Sequence, residues 1–391
     1  MKRFNISEFQ YLYTSWQLAI LPTVNCLPRW ISSLSNWGLL PTVFCVLVLL
    51  LGVLNNSNVK ASHAAGADIS YECLGGNTFR VQVSFYRDCD GISAPGSITV
   101  DYSSASCGMF FSSTATFVSV TDIIPYCPAA FSTACNFGTP PSREQHIYED
   151  IVVLPATCTD WVFSYSVFCR NDAITTISPT CEGLYVEARL NNTITPCNNS
   201  PFFTNPPAPF VYADQRFCYN NGAVDLDGDS LVYYLITPKT GTGLGNTVNY
   251  ISPFTKDQPL TSVPPVAFDQ KTGDICMLPT DTNEVTVLAV LVQEFRSGTF
   301  VGSVIRDIQV NVISGSDHLP FSNGINGTSL FSDTIAADSA YSFTINTFDV
   351  DLADFVTITS NVALAIPAAS FSSSGGARPD GTFSWTPFVS N

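Results

Sequence analysis

Three aspartates alternate along one short segment, at Asp225, Asp227 and Asp229, with Gly228 before the last. Carboxylates this close repel one another unless a cation neutralises them, and Ca²⁺ accepts roughly six to eight oxygens with loose geometry. The spacing therefore predicts a calcium-binding loop. An EF-hand is excluded, because glycine falls at the fourth position and the twelfth is Ile236 instead of glutamate. A solvated Asp/Gly turn before a strand is the alternative.

A second acidic segment, with Asp349, Asp351 and Asp354, resembles the first but is one residue longer. The same argument predicts a second calcium site there, again with a simple turn as the alternative. Ca²⁺ is the only cofactor that we expect, and we predict no catalytic residue and no organic cofactor.

The two acidic segments open two copies of an internal repeat. Each is followed by a predicted strand, at residues 232–236 and 357–359. Further on, a glycine and a proline lie six residues apart, as Gly273 and Pro279 in the first copy and Gly381 and Pro387 in the second. Apolar residues stand two and four positions after each glycine. The repeat has a period of about 110 to 125 residues, which suits tandem β-sandwiches.

The overall composition favours an all-β protein. Hydrophobic residues make up 46% of the chain, and the 25 prolines, 24 glycines and 12% aromatic residues are typical of strands and turns. The 32 acidic residues against 16 basic ones leave no cationic surface for phosphates, which excludes nucleic acid as a partner. Three histidines offer little material for imidazole catalysis. We therefore predict a protein that is not an enzyme.

The N-terminal segment predicts export. Residues 38–54 form an uncharged apolar run, and the small residues Ala61, Ala64 and Ala65 follow it. This pattern is typical of a cleaved signal segment, although a retained membrane anchor is the alternative. We expect residues 1–64 to be the only part that meets a membrane and the remainder to be extracellular or on the outer cell surface.

The cysteines predict disulfides. Cys26 and Cys45 lie in the export segment, which leaves eleven of the 13 cysteines in the exported part and one thiol unpaired. Cys158 and Cys169 flank a predicted strand at 161–168 and are too far apart to bond to each other. The best local candidate is a bond between Cys127 and Cys135.

The domain prediction follows from these patterns. A cysteine-rich β domain at residues 65–197 begins with a predicted hairpin, whose strands span 68–73 and 78–87 around Gly75-Gly76-Asn77. A β-sandwich at 198–315 ends with two long strands, at 284–293 and 301–313. The second sandwich, at 316–391, has no counterpart of these two strands and is expected to be truncated, as part of a longer protein.

The acidic segments with their Gly and Pro pairs resemble the cadherin-like or Ig-like tandem repeats of bacterial surface proteins. Residues 67–76 (ADISYECLGG) and 85–92 (FYRDCDGI) are similar to the opening of large exported proteins of gliding bacteria, which carry a gliding-motility-associated sorting domain. The resemblance implies a type IX secretion substrate with a structural or adhesive role. It also implies surface polysaccharide or other cell-surface proteins as partners.

A polysaccharide-binding or carbohydrate-active secreted protein is the alternative function. Trp161, Phe163 and Tyr165 alternate along a predicted strand and could form a platform on which sugars stack. The simpler interpretation is that these three side chains form the inner face of a sandwich.

Overall fold

The computed structural model describes residues 64–123, 135, 142–241, 246–315, 318–331, 333 and 335–387. This part of the chain contains twenty β-strands, one short helix at Val362–Ala365 and a 3₁₀ turn at Ile325–Gly327. The predicted all-β fold is confirmed. The predicted export segment lies outside the described residues except for Ala64, where the first strand begins.

Seven antiparallel strands form a continuous array in the order β1-β2-β5-β4-β3-β6-β7. They are β1 (Ala64–Gly75), β2 (Thr78–Asp88), β3 (Ser97–Ser104), β4 (Met109–Ile123), β5 (Arg143–Val153), β6 (Trp161–Val167) and β7 (Leu184–Leu190). The predicted first hairpin is β1-β2. Its turn holds Gly76 and Asn77 at φ values of 59° and 61°, the type I′ geometry that matches strand twist. Phe79, Val81 and Val83 are fully buried, as their alternation predicts.

A long hairpin from later in the chain joins this array. Its strands, β15 (Val285–Arg296) and β16 (Thr299–Ile313), pair along nearly their whole length. On its other edge, β16 pairs with β7 through residues 302–304 and with β1 through residues 306–308. The two outer strands of the seven-stranded array therefore meet on the same edge of β16.

The boundary expected at residue 197 does not separate two sheets, because β16 lies beyond it in sequence and pairs with strands that precede it. Two buried ion pairs reinforce this connection. Arg170 donates to both carboxylate oxygens of Asp307, at 2.6 Å each, and Arg306 Nε lies 2.8 Å from Asp68 Oδ2. Composition could not reveal this arrangement, since it depends on pairing between strands that are distant in sequence.

The first repeat forms a second layer against the long hairpin. The remaining strands up to residue 277 are β8 (Phe202–Phe203), β9 (Phe210–Tyr212), β10 (Phe217–Asn220), β11 (Ala223–Val224), β12 (Ser230–Ile236), β13 (Ala267–Phe268) and β14 (Asp274–Met277). β10, β14 and β13 form a small sheet. Its Phe217 and Ile275 line an apolar cavity together with Leu288 of β15 and Ile308 of β16. The two predicted long strands thus cover the first repeat.

The second repeat contains an equivalent small sheet. Its strands are β17 (Phe321–Ser322), β18 (Tyr341–Phe348), β19 (Ser370–Ser373) and β20 (Asp380–Trp385), in the order β17-β18-β20-β19. Ser342 lies opposite Ser384 in β18 and β20, as Cys218 lies opposite Cys276 in β10 and β14. The second residue of each pair lies three positions after the equivalent glycine of its repeat: Ser384 follows Gly381, and Cys276 follows Gly273. The two copies therefore share the same strand register.

The closing prolines confirm the repeat. Asp214 N donates to Pro279 O at 2.8 Å in the first copy, and Asp338 N donates to Pro387 O at 2.7 Å in the second. Both aspartates adopt left-handed backbone conformations, with φ values of 61° and 60°. The internal repeat predicted from sequence is therefore visible in the backbone.

One predicted strand of the second repeat is wrong. Residues 357–359 have no regular structure, whereas their counterpart in the first repeat, β12, pairs with β15. A strand needs a neighbour for its backbone hydrogen bonds. In the described part of the chain, the second repeat has no strand equivalent to β15, so this segment has no edge to join.

Five disulfides connect these elements. They are Cys73–Cys197, Cys89–Cys135, Cys107–Cys158, Cys169–Cys181 and Cys218–Cys276. The expected bond between Cys127 and Cys135 is wrong, because Cys135 lies beside Ser142 at the start of β5, which is also next to Cys89. Cys127 itself lies outside the described residues. The exclusion of a bond between Cys158 and Cys169 is confirmed.

Candidate metal centre

The first acidic segment folds as a tight loop between β11 and β12. Asp225 Oδ1 accepts hydrogen bonds from the backbone N–H groups of Asp227 and Asp229, at 2.9 Å each. Gly228 adopts a φ of 79°, which is accessible to glycine at little cost. The aspartates therefore shape the turn as well as supplying carboxylates, and the outer side of the loop faces solvent.

Strand pairing brings a fourth acid to this loop. Leu231 of β12 lies opposite Glu294 of β15, so the end of β15 adjoins the acidic segment. Carboxylate oxygens of Asp225, Asp229 and Glu294 lie within 4.8 Å of one another. Two oxygens bound to one Ca²⁺ at about 2.4 Å can be separated by up to about 4.8 Å, so one ion could contact all three groups.

Glu294 is completely buried. Its Oε1 accepts a hydrogen bond from Asn198 Nδ2 at 2.7 Å and lies 3.3 Å from the Tyr71 hydroxyl. Its Oε2 and Asp225 Oδ2 are both shielded from solvent and have no hydrogen-bond donor, and the two carboxyl groups interact with each other. Such orphaned acceptors are costly, and they indicate a missing proton or cation.

The electrostatics of the pair agree with this geometry. Burial and the neighbouring Asp225 carboxyl raise the pKa of Glu294 from 4.5 to about 9. Burial also raises the pKa of Asp225. Two carboxyl groups in this position can either share a proton or bind a metal ion, since both arrangements relieve the repulsion between two negative charges.

Arg296 pairs with two of the three loop carboxylates. Arg296 donates to both oxygens of Asp229 at 2.8 Å, and its Nη2 lies 2.8 Å from Asp227 Oδ2. Asp227 also accepts hydrogen bonds from Asn199 N at 2.9 Å and Asn199 Nδ2 at 2.7 Å. The structure therefore divides the predicted trio, because Asp225 and Asp229 lie at metal-binding distance from Glu294, with Asp229 also paired to Arg296, while Asp227 contacts Arg296 and Asn199.

The second acidic segment is built differently. Asp349 Oδ1 accepts a hydrogen bond from Asp351 N at 2.9 Å, which repeats the turn of the first loop. Asp351 Oδ2 then accepts from His318 N at 2.8 Å. Arg378 donates to the backbone carbonyls of Asp351, at 2.6 Å, and Asp354. Among the groups of acids at metal-binding distance in the described residues, the three aspartates of this loop do not appear.

Sequence reasoning missed Glu294, Arg296 and Asn198. A signal for Glu294 was present at the end of β15, where buried Val290, Val292 and Glu294 alternate with the partly exposed Leu291 and Gln293. An acid at a core-facing position of an apolar strand indicates a buried carboxylate. Asn198 carried no comparable signal, since it is positioned by the segment that follows Cys197 and not by a regular element.

Comparison with known proteins identifies no relative. No model of a known protein family matches the sequence, and a search of curated proteins finds no match either. The fold therefore defines the class, which is an all-β protein of antiparallel sheets joined by disulfides. Five disulfides are typical of an oxidising compartment. The described residues include no helix with the length and apolar character needed to cross a bilayer.

Proposed function

We propose that this chain is an exported, non-catalytic protein of the cell surface with a structural or adhesive role. The observation that supports the proposal best is the covalent bracing of the fold. Five disulfides stabilise the described part, and Cys73–Cys197 joins β1 to the segment that leads into the first repeat. Cross-links of this density are retained in extracellular proteins and are rare in the reducing cytosol.

Calcium-stiffened repeats are part of the proposal. The first acidic loop adjoins β15, whose partner β16 also pairs with β1 and β7. A cation bound at this loop would stiffen the connection between the repeat and the N-terminal strands. Stiff, repeated β modules suit a load-bearing or adhesive surface protein better than they suit a catalyst.

Secretion by the type IX system and an association with gliding motility rest on the sequence resemblance alone. Surface polysaccharide and other cell-surface proteins are the proposed partners. The candidate sugar platform of the alternative function has lost its support, because Trp161 and Phe163 are fully buried and Tyr165 is nearly so. These rings pack in the core, where Phe163 contacts Tyr71 and Tyr102.

The extracellular location of the chain and the presence of its five disulfides can be tested together in the native organism. Intact cells would be treated with a membrane-impermeant protease and with a membrane-impermeant thiol reagent, followed by peptide mapping under non-reducing conditions. We expect the chain to be cleaved on intact cells and the five cysteine pairs to resist labelling. A chain that is protected from the protease and carries reduced thiols would overturn the proposal.

A further inference from the structure

We infer that Glu294 completes a single divalent-cation site with Asp225 and Asp229, and that this site clamps the N-terminal strands to the first repeat. The inference rests on the proposed calcium-stiffened function and changes its ligand set. It adds a glutamate from β15, removes Asp227 and assigns no ion to the second acidic loop.

The first argument is the pair of orphaned oxygens. Glu294 comes from a strand and not from the acidic loop, and it is completely buried with Oε2 unpartnered. Asp225 Oδ2 is likewise shielded and unpartnered. Buried acceptors normally find a donor or a cation. Both oxygens belong to residues of the group whose carboxylates approach within 4.8 Å of one another.

The second argument concerns the choice of ion. Carboxylate oxygens no more than 4.8 Å apart are compatible with Ca²⁺, which bonds at about 2.4 Å with flexible geometry. Mg²⁺ bonds at about 2.0–2.1 Å, requires nearly ideal octahedral geometry and usually keeps several waters. A site made of carboxylate oxygens without a sulfur or imidazole ligand favours a hard cation over zinc or copper. Three protein carboxylates from a loop and a strand suit the flexible coordination of calcium better than the octahedral geometry of Mg²⁺, so calcium is the ion that we infer.

The third argument concerns the hydrogen bonds that Asp227 makes. Its carboxylate accepts from Arg296 and twice from Asn199. Asp229 is also paired with Arg296, but among the described residues only Asp229 and Asp225 of this loop lie at metal-binding distance from Glu294. Arg296 also donates to Asn198 Oδ1 at 2.8 Å. These bonds hold the segment at 198–199 against the loop, while Asn198 donates to Glu294. Asp227 is therefore a positioning residue, and Arg296 orients the carboxylate of Asp229 as well.

The clamp follows from where these groups originate. Asn199 Oδ1 accepts a hydrogen bond from Cys73 N of β1 at 2.9 Å, directly beside the Cys73–Cys197 disulfide. Tyr71 of β1 contacts Glu294. An ion held by Glu294 and the loop therefore ties together β1, the segment at 198–199, the loop and β15.

The second loop provides the contrast. Arg378 donates to the backbone carbonyls of Asp351 and Asp354, and the three aspartates of that loop form no group at metal-binding distance among the described residues. Its repeat also has no strand equivalent to β15 among the described residues, and thus no counterpart of Glu294. One ion is expected where the sequence predicted two.

The test measures calcium binding to the purified full chain by titration calorimetry, with terbium luminescence as a second readout. We expect one site. Glu294→Gln keeps nearly the same shape and should weaken binding by more than about tenfold, because even residues behind the ligands are worth about 10–100-fold. Asp351→Asn is the matched control in the second loop and should leave the affinity unchanged. Asp225→Asn provides a second ligand variant if Glu294→Gln fails to fold.

The outcomes separate the inference from the function on which it rests. Calcium binding that survives Glu294→Gln but is lost in Asp351→Asn would overturn this site and leave the calcium-stiffened repeats standing. A chain that binds neither calcium nor terbium would overturn both the site and the calcium part of the proposed function. In that case Glu294 and Asp225 would share a proton, and the exported structural role would still depend on the protease experiment.

Discussion

The position of the Glu294 carboxylate depends on close packing as much as on charge. A Cβ atom added at Gly302 of β16 would lie 2.1 Å from Glu294 Oε1 and 2.6 Å from Arg189 O. The Arg189 carbonyl belongs to the backbone of β7, so it cannot move away without disturbing that strand. Glycine at this position therefore allows β15, β16 and β7 to approach closely around the buried carboxylate.

We predict that Gly302→Ala destabilises the chain by about 1–3 kcal/mol, because overpacking a filled site forces its neighbours apart. It should also weaken calcium binding, since it displaces Glu294. Urea unfolding and calorimetry measure the two effects. Gly96→Ala is the matched control, because a Cβ there meets no atom within 4 Å. Equal stability of the two variants would contradict the proposed packing.

Glu187 illustrates a buried charge that needs no metal. Its Oε1 lies 2.8 Å from Lys239 Nζ and 2.9 Å from Arg189 Nε, and its Oε2 accepts from Tyr185. Burial pushes the pKa of Glu187 up, but the hydrogen bond from Lys239 and the charge of Arg189 outweigh it, so the pKa lies below 4.5.

The lowered pKa of Glu187 determines the direction in which the stability of the fold changes with pH. Because the carboxyl is more acidic in the folded state than in the unfolded state, it contributes stability above about pH 4.5, which is lost as the pH falls through the folded-state pKa. Glu187→Gln should cost about 1–3 kcal/mol at pH 7 and flatten the acid limb of the stability curve, measured by urea unfolding between about pH 3 and pH 7. Glu72→Gln, at an exposed ion pair with Arg80, should cost less than about 1 kcal/mol. Parallel acid limbs for wild type and Glu187→Gln would refute the assignment.

At the scale of elements, the shared strand register predicts that one disulfide of the first repeat can be introduced at the equivalent positions of the second repeat. Cys218 and Cys276 are opposite each other in β10 and β14, and Ser342 and Ser384 occupy the same register in β18 and β20. The two serine hydroxyls lie 3.0 Å apart. The second repeat therefore has the geometry for a bond that only the first repeat carries.

We predict that the double variant Ser342→Cys/Ser384→Cys forms this bond on oxidation and stabilises the second repeat by up to about 4 kcal/mol, the loop-closure value for a cross-link of this span. Non-reducing peptide mapping and thermal unfolding would show it. The control Thr344→Cys/Ser384→Cys places the thiols two residues out of register and should remain reduced. A double variant that stays reduced would show that the two copies do not share a register.

Local patterns predicted much of the fold at this scale. The alternation around Phe79 and the Gly76-Asn77 turn defined the first hairpin, and the β15 and β16 strands appeared as long apolar runs. The pairing of β16 with β1 could not be predicted, because it depends on buried partners such as Arg306 and Asp68 that are far apart in sequence. The grouping of Glu294 with the acidic loop could not be predicted for the same reason, since Glu294 reaches the loop only through strand pairing.

At the scale of the whole molecule, β16 makes the N-terminal strands and the first repeat depend on each other. Asp307 of β16 is fully buried and accepts two hydrogen bonds from Arg170, which is also buried. A buried charge that loses its partner is costly, typically about 3–5 kcal/mol. The ion pair is therefore a test of whether residues on both sides of position 197 fold together.

We predict that Asp307→Asn destabilises both parts by the same amount, about 3–5 kcal/mol, in one cooperative transition. Circular dichroism follows the sheets as a whole, and hydrogen exchange reports on β2 and β14 separately. Asp257→Asn, at an exposed pair with Lys256, is the control and should have little effect. Loss of protection in only one part would show that the two fold independently.

The most direct test of the account is calcium-dependent hydrogen exchange on the intact chain. If one ion clamps the N-terminal strands to the first repeat, calcium should protect amides near residues 71–73, 198–199, 225–229 and 294–296, and should leave residues 349–354 unchanged. Protection confined to residues 349–354, or no calcium-dependent change in the first loop, would contradict it.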